Sequence, residues 1–143
     1  MTTILDTSAF SAAMRQDRGV VAFLRSRHPG DVATVPPVVA EIEYGIQRID
    51  PSSRKRALLE SARDRLLGAV RVLPWTPAAS ALFGLVKSRL ERAGELIDDF
   101  DVAIAAIAMA HGAEVITANL VHFRRVGELV SRHWTDDGGS AHA

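Results

Sequence analysis

The sequence predicts an α/β domain: a central, mainly parallel sheet with helices on both faces. Three observations predict it. Short runs of strand-forming residues alternate with longer helix-compatible runs along the chain. Gly, Pro and short polar residues fall between the runs and separate them. The 143 residues show neither an internal repeat nor a linker, so they make one domain with one core.

The elements follow in order. Ile4 and Leu5 form a short strand that runs straight into a helix over residues 9–16, which Ser8 can cap. Asp17 caps a second helix, ended by Pro29-Gly30, and residues 31–35 are a brief second strand. Pro36-Pro37 opens a helix through Ile49, since proline is tolerated in a first turn, and Asp50-Pro51 breaks it. Ser52 or Ser53 caps an Arg-rich helix to Leu67 that Gly68 closes, and residues 70–75 are a third strand. Thr76-Pro77 starts a long helix that Gly94 stops. An aspartate cluster opens the next helix, which ends at Gly112, and residues 114–119 are a fourth strand. A last helical turn and an edge strand lie within residues 120–134. The small, polar tail from residue 135 to 143 is expected to be disordered.

Composition excludes some chemistry. The absence of cysteine rules out disulfides, thiolate metal sites and Cys nucleophiles. Seventeen Lys+Arg balance seventeen Asp+Glu, so an electrostatic site must come from local segregation of charge. The first residues have no signal-peptide pattern, and no apolar run reaches the roughly 18 residues of a membrane span. A soluble, cytoplasmic protein is expected.

The candidate site is a set of carboxylates in apolar surroundings. In the stretch ELIDDFDVAIAAIAMAHG, residues 95–112, three aspartates precede an apolar run. Asp98 and Asp99 can cap the helix and favour its positive end, and for Asp98 capping is the simpler reading. Asp101 shares a helical face with Ile104, Ala105 and Ala108, so its charge needs a compensator, either a first-turn hydrogen bond or a cation. Asp6 stands at the carboxyl end of the first strand, where a parallel sheet places its ligand site, although it too can cap a helix. Glu41 borders the stripe Val38, Ile42, Gly45 and Ile49. It aims inward over the sheet edge or forms an ion pair with Arg48 or another partner, while Glu43 faces solvent. Oxygen ligands from separate segments, without cysteine, suit a hard cation such as Mg²⁺ or Mn²⁺. Such an ion orients a water for in-line attack at a phosphodiester. On this reading Asp6, Glu41 and Asp101 converge on one centre.

LDTS at 5–8, AEIEYG at 40–45, IDDFDVAIAAIA at 97–108 and ITANLVHF at 116–123 occur in an order and spacing that resemble the PIN domain, in particular the VapC-type toxins of bacterial toxin–antitoxin pairs. The resemblance spans roughly residues 3–134 and implies a PIN-like three-layer domain over residues 1–134. It implies an endoribonuclease dependent on Mg²⁺, with Mn²⁺ as a substitute, that leaves a 5′-phosphate and a 3′-hydroxyl. Carried over by motif, Asp6, Glu41 and Asp101 are the acidic metal ligands. Where relatives carry a fourth acid, this chain has Asn119, and Asp99 is the candidate to make up the charge. Thr7, Ser8 and Thr117 are expected to hold the ligands by hydrogen bonds. Implied partners are a VapB-type antitoxin, an RNA substrate (transfer or ribosomal RNA) and a second copy in a homodimer that assembles further with the antitoxin.

Two other readings compete. A phospho-aspartyl domain using Asp6 is disfavoured by Ser8, where a dehalogenase-like phosphatase needs a second Asp, and by having only Lys55 and Lys87 for a receiver's late lysine. A non-catalytic PIN-like module that binds RNA or protein fits Asn119 but leaves the three acids unused. The Arg-rich helix, with Arg54, Lys55, Arg56, Arg63 and Arg65, is read as a solvated face, His122 as a surface residue, and Trp75, Phe83 and Leu85 as core or dimer contacts.

Overall fold

The structure, a computed structural model, describes residues 1–136. Its elements run β1 (Thr3–Leu5), α1 (Thr7–Met14), α2 (Arg18–Arg25), a 3₁₀ turn (Pro29–Asp31), β2 (Val32–Thr34), α3 (Pro36–Gln47) and α4 (Arg54–Ala69). Then come β3 (Arg71–Val72), α5 (Pro77–Arg92), α6 (Asp99–Ala110), β4 (Glu114–Ile116), α7 (Leu120–Phe123) and β5 (Ser131–Arg132). The five strands lie in the order β3-β2-β1-β4-β5, and every neighbouring pair is parallel.

Every residue of β1, β2 and β4 is buried. Successive strand residues face opposite sides of a sheet, so helices must cover both faces. The helices α1 to α4 pack among themselves, α5 packs on α6, and α6 reaches across to α3. In α6, Val102 to Ala108 are buried without a break, because an all-apolar helix has no face to give to water. At the other end of the sheet, Glu114 is also buried. It accepts the Thr3 hydroxyl at 2.6 Å and a two-pronged contact from the Arg132 guanidinium at 3.0 Å, which fastens the short edge strand β5 to β4.

The helix ends follow local chemistry. Asp17, Ser53, Thr76 and Asp98 each accept a backbone N–H at the start of α2, α4, α5 and α6. Gly94 and Gly112, at φ +68 and +63, end α5 and α6 in a left-handed conformation that favours glycine. Three expectations are corrected. Helix α1 begins at Thr7, because Asp6 rather than Ser8 takes the Ala9 N–H. Gly68 lies inside α4, which runs on to Ala69. The buried stripe of α3 is Val38, Ile42 and Ile46, at i, i+4 and i+8, whereas Gly45 is exposed. Thr135 and Asp136 fold into a turn on His133, and the rest of the expected tail lies outside the described residues. Among the described residues no helix is long and apolar enough to cross a membrane.

Candidate active site

From β1 the chain moves outward to β2 and β3, then returns past β1 to add β4 and β5. The order therefore reverses between β1 and β4, and parallel sheets bind ligands beyond the carboxyl ends of the strands at such a reversal. The residues immediately past those two ends are Asp6 and Thr117.

Asp6 continues the ladder, its N–H donating to the Ile116 carbonyl at 3.1 Å. The residue is only 3% exposed, and both carboxylate oxygens accept hydrogen bonds. Oδ1 accepts the Ser8 hydroxyl at 2.7 Å and the Ala9 N–H at 2.8 Å, and Oδ2 accepts the Thr117 hydroxyl at 2.5 Å. Burial outweighs these bonds and raises its pKa above the ordinary aspartate value. The hydroxyls are themselves held. Ser8 Oγ accepts the Ala118 N–H at 2.9 Å, and Thr117 Oγ1 accepts the Asn119 N–H at 2.7 Å. One network thus ties the turn after β1 to the turn after β4.

Asp101 comes from the first turn of α6. Burial first, and then the charges of Asp6, Asp98 and Glu41, push its carboxyl up to about 6 against a stabilising contact from His122. Of those three, Glu41 and Asp98 line one cleft. Glu41 arrives from α3, and its Oε1 accepts the Thr7 hydroxyl at 2.5 Å. The alternative pairing with Arg48 is not made, since that guanidinium lies over the Tyr44 ring at 5.6 Å. Glu43 is not free in solvent but pairs with Arg63 of α4 at 2.9 Å.

Two assignments change. Asp99 leaves the group: its carboxylate pairs with Lys87 at 2.9 Å, beside an apolar cleft formed in part by Trp75 and Phe83. The helical turn separates neighbours by ~100°, so the residue before it, Asp98, faces Glu41 instead while still capping α6 through the Phe100 N–H at 2.7 Å. His122 is the second change. Its Nδ1 lies 2.7 Å from the Asn119 amide nitrogen and 3.4 Å from Asp101 Oδ2, and that one ring nitrogen either accepts from the amide or donates to the carboxylate. The i, i+3 spacing of Asn119 and His122 on α7 was the available signal.

The donor set fits a hard divalent cation in kind, being carboxylate oxygens whose charges raise the proton affinity of Asp101. It is not a finished shell. Among the described residues no three His, Asp or Glu side chains stand close enough to share an ion as they are. Like charges repel, and Asp6 and Glu41 are each held by hydroxyls of their own.

Fold and site together define a class: a parallel α/β domain with acidic side chains gathered at the strand-order reversal. The chain belongs to the PIN domain family, whose sequence profile matches residues 3–129. It is similar to Ribonuclease VapC2 of Haemophilus influenzae, 30% identical over an alignment of 129 residues, with 82% of this chain and 95% of the relative covered. It is also similar to Toxin FitB of Neisseria gonorrhoeae, 29% identical over 137 residues, 93% of this chain and 99% of the relative. The crystal structure of VapBC2 from Rickettsia felis, bound to a DNA fragment from its promoter, shares the fold with a TM-score of 0.84, covering 94% of this chain and 99% of that one at 24% identity.

Proposed function

We propose that this chain is a metal-dependent endoribonuclease toxin restrained by a VapB-type antitoxin, and that it pairs with a second copy before assembling with that antitoxin. One observation carries the catalytic reading: Asp6, Glu41 and Asp98 all bear on Asp101 at the β1–β4 reversal, so negative charge is concentrated where the fold places its ligand. The ribonuclease and toxin names of the relatives support it.

Asp6, Asp101 and Glu41 are the residues that would hold Mg²⁺ or Mn²⁺. When bound, such an ion supplies an acidified water and neutralises charge building on the phosphate oxygens. The chain's own residues do the rest. Ser8 and Thr117 fix both oxygens of Asp6, Thr7 fixes Glu41, and His122 donates to Asp101 when its Nδ1 carries the proton. An antitoxin side chain that brings a guanidinium into the acidic cleft would satisfy the same carboxylates by charge-assisted hydrogen bonds.

Asp6→Asn keeps the shape and the Ala9 cap while removing the charge. Expressed without antitoxin, this variant is expected to lose growth arrest and at least about a hundredfold in RNA cleavage. Full toxicity would refute the mechanism. EDTA is expected to stop cleavage by the wild-type chain, and undiminished cleavage in chelator would establish a metal-free route.

A further inference from the structure

The helices that deliver the acids also deliver two exposed rings. Tyr44 lies one helical turn past Glu41 on α3, and Phe100 lies between Asp98 and Asp101 at the start of α6. They are 66% and 42% exposed. With Ala40, Glu41 and Asp98 they line one cleft of about 390 Å³. A single exposed aromatic is ordinary, but two that share a cleft with acids of the candidate active site mark a contact surface.

We propose that this cleft is a nucleobase subsite, in which a base next to the scissile phosphate stacks on Tyr44 and Phe100. The proposal rests on the ribonuclease reading and names the part of the RNA that the cleft takes. Acidic walls repel a phosphate but not a base, because every base offers a π-face to an aromatic ring and most offer N–H donors at the edge. The carboxylates are suited to such donors. Asp98 uses Oδ1 on the Phe100 N–H and Glu41 uses Oε1 on the Thr7 hydroxyl, and each has a second oxygen. Guanine presents adjacent N1–H and N2–H₂ groups, a better match to a carboxylate than uracil's single N3–H. Arg48, stacked over Tyr44, adds a positive charge beside the cleft where the neighbouring phosphate of the same strand would pass.

The test uses the full chain in EDTA and a fluorescently labelled single-stranded RNA decamer of mixed sequence, in which 2-aminopurine replaces one base at a time. Binding is expected to quench 2-aminopurine at one or two adjacent positions. Tyr44→Leu and Phe100→Leu are each expected to remove that quenching and weaken binding between about fivefold and about a hundredfold, the range of a lost base–aromatic stack. Tyr44→Phe is expected to retain both. Leucine variants that bind and quench as the wild type does overturn the subsite. So does a fall in sedimentation coefficient with RNA affinity unchanged, which would give the rings to a second copy of the chain. Cleavage of the same RNA in Mg²⁺ or Mn²⁺ separates the two claims. If the wild type fails to cut while the quenching persists, the nuclease reading falls and the cleft stands only as a base-binding site, without a scissile phosphate beside it. If the wild type cuts and both leucine variants cut with unchanged KM, the subsite falls alone.

Discussion

Burying Asp6 takes a charge out of water, and the Ser8 and Thr117 hydroxyls with the Ala9 N–H offset part of that cost. Thr117→Val removes one donor and keeps the shape. It is expected to destabilise the fold by about 1–3 kcal/mol, read by urea denaturation, and to lower RNA cleavage by about 10- to 100-fold. Asp101 behaves differently with pH. Its folded pKa, about 6, is raised above the ordinary 3.8, so the folded protein binds that proton more tightly than the unfolded chain does. The resulting stability is fully present below pH 3.8 and is lost as pH rises through about 6. Without added metal, the wild type measured against Asp101→Asn should therefore gain relative stability as pH falls from about 7.5 towards 4. A flat difference in melting temperature over that window would contradict the shift. Asp6, Glu41 and Asp101 are legible in the sequence, because a carboxylate at a strand end or on an apolar helical face is conspicuous. The contact of Asn119 with His122 has only its i, i+3 spacing to mark it, which says nothing of the acid that lies beyond it.

At the scale of elements, most boundaries can be read from caps. Asp17, Ser53, Thr76, Asp98, Gly94 and Gly112 mark helix ends that the structure keeps. Gly68 misleads because glycine stops a helix only where a left-handed residue is required, and α4 continues through it. The choice between Asp98 and Asp99 depends on the exact start of α6, since one residue turns a side chain by about 100°. Asp98 has both a capping and a charge role, and two substitutions separate them. Asp98→Ala is expected to cost about 1 kcal/mol of stability through the lost Phe100 contact, whereas Asp98→Ser should retain the cap. Both remove the charge near Asp101 and are expected to lower its pKa equally, as followed by carboxyl NMR titration. A difference between them as large as their stability difference would mean that the cap, and not the charge, sets that pKa.

At the scale of the molecule, the class of fold follows from alternating strands and helices, but the strand order does not. Periodicity identifies a buried strand without naming its neighbour, so the β3-β2-β1-β4-β5 order and its reversal beside Asp6 become visible only in three dimensions. That reversal is where the proposed nuclease reading places its acids. The most direct measurement is the melting temperature as a function of Mn²⁺ for the wild type, Asp6→Asn and Asp101→Asn, because a ligand that binds only the folded state raises stability with concentration. A rise in the wild type that is absent or much weakened in both variants is the predicted result. Equal rises in all three proteins would contradict it, placing the ion elsewhere and leaving the acidic cleft without the role assigned to it.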